Sequence, residues 1–206
     1  MFAGKPIIGI AGGIGSGKSH VARLFGEFGA LVIDSDQQVS EVYHRQDVKQ
    51  TLRSWWKDSV FDAQGNIDKR AVARRIFQDT QERQRLEGLV HPLIAQSRDR
   101  LMAQAADDPR IVAYVWDAPL LIEVGLHRQC DAVVFVESDD EQRYRRVHQT
   151  RGWTREEWQR REKSQLPLDK KRIIAKYIVR NTADTDEEVR DQVREVLSRI
   201  LAEVRR

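Results

Sequence analysis

The apolar positions of this chain fall into five short runs separated by stretches of helical spacing. Ile7 to Ala11 is continuous, as a strand buried on both faces would be. Lys18 to Phe28 sets Val21, Ala22, Leu24, Phe25 and Phe28 at helical intervals, and Gly29 supplies a stop. Further strands are expected at ALVID (30–34), RIVAYVWD (110–117), DAVVFVE (131–137) and KYIVRN (176–181). From Ser35 to about Met102 the pattern is mostly helical, interrupted by the turn DAQGN (62–66) and by Pro92. An arginine-rich helical stretch covers about 140–166. The last run, Asp186 to Val204, alternates charge around Val189, Val193, Val196, Leu197, Ile200 and Leu201, which predicts a closing amphipathic helix.

Short apolar strands alternating with helices predict an α/β fold, a five-stranded parallel sheet flanked by helices. The helical stretch between the second and third strands is too long for a simple crossover. It is expected to form a subdomain inserted over the carboxyl edge of the sheet, where α/β proteins bind ligands. Residues 1–36, 110–142 and 176–206 would then make the core, 37–109 the helical subdomain and 143–166 a lid, all within one domain of 206 residues.

Composition narrows the class. Hydrophobic residues at 40% and charged residues at 33% describe a soluble globular chain. No apolar run approaches the ~20 residues of a membrane span. The first one breaks at once into glycines, unlike a secretory leader. Cys130 is the single cysteine, so an internal disulfide or a cysteine zinc cluster is excluded. A cytoplasmic protein with no membrane, nucleic acid or obligate protein partner is expected, since a net charge of +3 does not define a basic nucleic-acid face. Small polyanions fit it equally well.

The chemistry starts where the first strand ends. Gly12, Gly17, Lys18 and Ser19 satisfy G-x-x-x-x-G-K-[ST], which by composition alone arises by chance in about 1% of chains this long. Glycines let a backbone fold round an oxyanion, and successive N–H groups then form an anion nest at a helix N-terminus. Lys18 would reach the β- and γ-phosphates and the Ser19 hydroxyl a Mg²⁺ ion. His20 would offer only its backbone N–H. A GTPase would show N-K-x-D, whereas residues 181–184 read NTAD, and the DAQG at 62–65 follows no strand.

Asp34 and Asp36 close the second strand, and a spacing of two would turn both to one side if the strand continued that far. A carboxylate there would orient an acceptor hydroxyl and take its proton; the alternative is a helix cap. Asp117, at the end of the third strand, stands in the Walker-B place for a metal shell, or is a structural strand-end carboxylate. Of the arginines from Arg143 to Arg161, most are expected on a solvated face. Arg151, before a hinge at Gly152, is the first candidate to close over the γ-phosphate, and Arg146 the second. His91-Pro92 is read as a helix-interrupting pair in which His91 is a lesser ligand candidate. Trp55, Trp56, Trp153 and Trp158 are expected to pack rather than to bind a base. The residues alone thus reach a Mg-ATP-dependent small-molecule kinase.

Together, GGIGSGKS (12–19), VIDSD (32–36), QGNIDKRAVARRIF (64–77), LEGLVHP (86–92), DAPLLIE (117–123), QTRGWTREEWQRREKSQ (149–165) and IVRN (178–181) resemble the dephospho-CoA kinase family. The resemblance implies a nucleotide-kinase-like P-loop core with a helical CoA-binding subdomain and a lid. It also implies transfer of the ATP γ-phosphate to the ribose 3′-hydroxyl of dephospho-CoA. Carried onto this chain, ATP would be held by Gly13, Gly15, Ser16, Gly17, Lys18, Ser19 and His20 with Arg146. Asp36 would activate the acceptor and Arg151 would be the lid arginine. Asp34, Asp36, His91, Pro119, Leu120 and Glu123 would bind substrate, and Ser19 with Asp117 would hold Mg²⁺. Three departures stand out: Ala11 and His20 where the family often has Thr, and Lys176 where it often has Asp. The alternatives are another P-loop nucleoside, nucleotide or small-molecule kinase, or a nucleotide-gated interaction module.

Overall fold

The computed structural model describes residues 1–182 and 185–204. Ala183 and Asp184, the second half of the NTAD stretch, therefore lie outside the described residues, as do Arg205 and Arg206. Five strands, β1 (Ile7–Gly12), β2 (Ala30–Asp34), β3 (Ala113–Asp117), β4 (Ala132–Glu137) and β5 (Tyr177–Arg180), pair in parallel in the order β2-β3-β1-β4-β5. Every residue of β1 and β3 is buried, as continuous apolar runs demand. The expected third strand begins three residues late: Arg110 lies in a turn, Ile111 in neither strand nor helix, and Val112 donates its N–H to the Gly29 carbonyl beside β2.

Two compact units divide the chain, Met1–Asp34 with Met102–Arg206, and Ser35–Leu101. The first holds the sheet. Its helices are α1 (Lys18–Glu27), α6 (Asp140–Arg151), α7 (Arg155–Lys163), α8 (Leu168–Ile174) and α9 (Asp186–Val204). Val21, Leu24 and Phe25 of α1 and Val189, Val193, Val196, Leu197 and Ile200 of α9 pack with Ile8, Ile10, Val115, Val134 and Val179 in one cluster. The second unit comprises α2 (Ser35–His44), α3 (Gln46–Trp56), α4 (Lys69–Gln78) and most of α5 (Thr80–Gln104). Its core is built on Val42, Tyr43, Val48, Leu52, Trp56, Val72, Leu86 and Val90. Where the sequence pattern sets this part at 37–109, residues 102–109 belong instead to the sheet unit. Tyr114 Oη donates to the Met102 carbonyl, and Lys5 Nζ to those of Ala105 and Asp108.

Two local expectations are corrected. Pro92 does not interrupt its helix, because α5 runs through it for 25 residues. The proline forfeits one backbone bond, but Leu86 and Val90 before it and Leu93 and Ile94 after it pack into the same core, so tertiary burial outweighs the local cost. Nor does β2 continue to Asp36: it ends at Asp34, and Ser35 opens α2. The period-two argument for a shared face therefore fails. Asp36 sits instead in the first helical turn, where the positive end of the helix favours an acid.

Candidate active site

At the carboxyl end of β1 the neighbouring strands diverge in chain order, with β3 on one side and β4 on the other. This is the topological switch point at which open α/β sheets bind ligands. The glycine-rich loop leaves β1 there and enters α1 through Gly17, which is left-handed at φ +89°. No side chain caps α1 and no acid lies in its first turn, so its leading N–H groups are set up to receive an external anion.

The loop is fixed from outside by its carbonyls. The Ile14 carbonyl accepts from Arg143 Nη1 (3.4 Å) and Trp158 Nε1 (3.3 Å). Those of Gly15 and Ser16 accept from Arg146 Nη1, both at 3.3 Å, and Asn181 Nδ2 donates to Ser16 at 2.8 Å. Lys18 Nζ turns back to the Gly13 carbonyl at 2.9 Å and reaches that of Gly12 at 3.3 Å. The Ile14, Gly15 and Ser16 carbonyls are thus tied to partners outside the loop, while the Ile14 N–H donates to Glu162 Oε2 (3.1 Å) and the Ser16 N–H to the Gly13 carbonyl (3.2 Å). The close approach explains the glycines: a Cβ on Gly15 would lie 2.3 Å from the Arg143 carbonyl, and one on Gly17 2.1 Å from Asn181 Nδ2.

Lys18 is held well below the usual ammonium range, at a pKa of about 8. Burial is the main cause, with Lys171 and Arg151 adding repulsion against the attraction of Asp117 and Glu162. A bound polyphosphate would raise it again by favouring the charged form.

Ser19, Asp34 and Asp117 line one open depression of about 470 Å³ with Arg23, Gly26, Glu27 and Val32. Asp34 and Asp117 are register partners at the ends of β2 and β3, and Asp117 is only 6% exposed. Their oxygens are hard donors of the kind Mg²⁺ takes from a protein, one or two carboxylates beside a hydroxyl. No group of three or more His, Cys, Asp or Glu residues that could hold a metal occurs among the described residues, and a Mg²⁺ ion on one or two carboxylates takes the rest of its shell from water and phosphate oxygens. On the other flank of the loop a second depression of about 340 Å³ is lined by Gly17, His20, Arg146, Asn181, Thr185, Asp186 and Val189.

Of the other expected site residues, Arg146 grips the loop's outer side and also donates to the Asn181 carbonyl at 2.9 Å and Ser138 Oγ at 3.0 Å. Arg151 ends α6 and stacks on Trp153, 4.9 Å from the ring centre. Gly152 after it is left-handed (φ +66°), which splits the arginine-rich stretch into α6 and α7. His20 Nε2 pairs with Asp186 Oδ1 at 2.8 Å. Glu123 pairs with Lys171 Nζ at 2.7 Å and accepts the Leu166 N–H at 3.1 Å, while Pro119 and Leu120 are exposed. Asp36 and His91 belong to the helical unit, with His91 exposed on α5.

Several functional candidates escape sequence reasoning. Arg143 is not on a solvated face: it is 3% exposed, paired with Asp140 (2.8 Å) and Glu162 (2.6 Å), and inserted against the loop. Lys171, 2% exposed, pairs with Glu123 and Gln165 close enough to Lys18 to repel it. Trp158 packs as expected and also holds the loop, and Asn181 was legible only as a strand-end polar residue. No helix among the described residues is long and apolar enough to cross a membrane.

Comparison with known proteins agrees with this fold. A dephospho-CoA kinase of Corynebacterium glutamicum is 36% identical over 197 residues, covering 94% of this chain and 98% of its own. The crystal structure of the Thermus thermophilus protein TT1252 superimposes with a TM-score of 0.79 at 33% identity, covering 97% of both chains. A dephospho-CoA kinase from Campylobacter jejuni shares the fold, with a TM-score of 0.61 at 18% identity over 96% of this chain and 98% of its own. The sequence model of the CoaE family, described as dephospho-CoA kinase, matches residues 6–187, and this chain belongs to that family.

Proposed function

We propose that this protein transfers the γ-phosphate of ATP to the ribose 3′-hydroxyl of dephospho-CoA, giving CoA and ADP, in the cytoplasm. The observation that carries the reading is the glycine loop with its carbonyls tied outward, next to a depression shared by Ser19, Asp34 and Asp117. In this reading the loop amides from Gly13 to His20 hold the polyphosphate. The depression beside Gly17, His20, Arg146 and Asn181 takes the adenosine end. That arrangement points the terminal phosphate toward the opposite flank, where Asp34 and Asp117 stand.

Lys18 and Arg151 offset charge on the transferring group. Arg146 positions the loop and keeps its amides aimed inward. Asp36, two residues beyond Asp34 along the chain, orients the 3′-hydroxyl and accepts its proton as the oxygen–phosphorus bond forms and the bond to ADP breaks. Ser19 Oγ with the Asp117 and Asp34 carboxylates would hold Mg²⁺, which when bound neutralises phosphate charge. His91 is a lesser substrate-ligand candidate. Pro119 and Leu120 add apolar surface, and Glu123 holds that turn through Lys171.

Incubating the protein with Mg-ATP and dephospho-CoA should yield ADP and CoA in equal amounts. Turnover with another alcohol but not dephospho-CoA would make it a different P-loop kinase. ATP binding without any turnover would make it a nucleotide-gated module.

A further inference from the structure

The lid carries an anion of its own into the phosphate loop. Glu162, on α7, accepts the Ile14 N–H at Oε2 (3.1 Å), while its Oε1 pairs with Arg143 Nη1 at 2.6 Å. The Ile14 carbonyl is in turn held by Arg143 and Trp158, so both ends of this one loop residue are bonded to the lid helices. Glu162 is also near enough to Lys18 to stabilise its charge. A carboxylate bonded to a loop amide and an arginine, with a lysine close enough to feel its charge, has the partners that a phosphate oxygen would take in a P-loop. Ile14 stands four residues ahead of Lys18, the first residue of α1, and Glu162 acts on that lysine, the group that reaches the β- and γ-phosphates in a P-loop.

We propose that Glu162 is a positioning residue that stands in for the terminal phosphate and sets discrimination between ATP and ADP. Two anions cannot share one Ile14 N–H and the Arg143 Nη1 that Glu162 holds, because Nη2 is already taken by Asp140. ATP therefore displaces the Glu162 carboxylate, and Arg143 passes from it to the γ-phosphate. ADP lacks that phosphate and leaves the Glu162 contact in place. Once transfer is complete, the carboxylate recovers the amide. The inference rests on the ATP-binding reading of the loop.

The test is the affinity of Glu162→Gln for ATP and for ADP, measured by calorimetry against the wild-type enzyme, with melting temperatures for both. Glutamine keeps the length and removes the charge. ATP binding is expected to tighten by about tenfold, the scale of one charged hydrogen bond. ADP binding should change less than about twofold, so the ATP/ADP preference rises. Glu162→Met, also uncharged and of similar length, gives the same comparison if the glutamine variant does not fold. Wild-type ATP binding with an unchanged ATP/ADP ratio in the variant would overturn the inference alone, since a merely structural tie would lower the melting temperature without altering that ratio. A wild-type enzyme that binds no ATP would overturn the inference together with the reading it rests on.

Discussion

Replacing Gly15 with alanine tests whether the loop is held by close approach or only by chain flexibility. Two costs can be separated. Gly15 is left-handed at φ +83°, and a side chain in that conformation costs about 1–2 kcal/mol. In addition, the new Cβ would lie 2.3 Å from the Arg143 carbonyl and 2.8 Å from Val147 Cγ2. The carbonyl is backbone in the first turn of α6 and cannot rotate away, so the helix or the loop must shift, at an overpacking cost of about 1–3 kcal/mol. Gly152 is the internal control: it is also left-handed (φ +66°), but its Cβ would meet nothing within 4 Å. At about 2–4 °C per kcal/mol for a chain of this size, Gly15→Ala should lower Tm by roughly 4–20 °C and Gly152→Ala by roughly 2–8 °C. The two must also differ in kinetics. Moving α6 off the loop loosens the Arg146 bonds to the Gly15 and Ser16 carbonyls, so Gly15→Ala should raise KM for ATP and Gly152→Ala should not. Differential scanning fluorimetry and initial rates against ATP give both readouts. Equal losses of Tm with an unchanged KM in Gly15→Ala would refute the reasoning.

Lys18→Ala should abolish phosphoryl transfer while leaving a cooperative melt, and near-normal turnover would remove the lysine from the site. The lysine also predicts a pH effect. Its folded pKa of about 8 lies below the unfolded 10.5, so the unfolded chain binds more protons between those values and stability from this group rises with pH across that window. In urea titrations without nucleotide, the gain in stability of Lys18→Met over wild type should accordingly be largest below pH 8 and shrink toward pH 10. Asp36→Asn should keep ATP and dephospho-CoA binding but lose at least about a hundredfold in kcat, because an amide cannot take the proton; an active variant would send the search for the base elsewhere. Arg151→Ala should lower kcat far more than it raises KM for dephospho-CoA, and a pure KM effect would limit the arginine to ground-state binding.

How much was legible in the sequence depended on how far apart the interacting residues lie. The sheet was readable because apolar runs and helical spacing are local signals, and the glycine loop because its motif fits within eight residues. Ser19 and Asp117 could be paired from the loop motif and a strand end, and they share one depression with Asp34, which the sequence grouped with Asp36 instead. What holds the loop could not be read this way. Arg143, Trp158, Glu162 and Asn181 act on residues 14 and 16 across 129 to 165 positions of chain, and nothing in a local window marks them. Arg143 was misread because a dense arginine run looks like a wet surface, whereas its guanidinium is buried over Trp158, 5.0 Å from the ring centre. Pro92 and Asp36 were misread for a different reason: local rules were pushed past the point where packing and a helix start override them.

The strand order has a consequence for how the chain is made. β1 leaves the ribosome first, yet its two neighbours in the sheet are β3 and β4, which begin at Ala113 and Ala132. At about 5–20 residues per second, the most apolar strand waits on the order of 5–20 s before its first ladder partner exists. The helical unit between Ser35 and Leu101 can gather its own core during that wait, but it contributes no strand to shelter Ile7, Ile8 and Ile10. The nascent protein therefore passes through a stage with one domain half folded and a bare hydrophobic edge at its start. During that stage holding chaperones, rather than nucleotide, would be its natural protection.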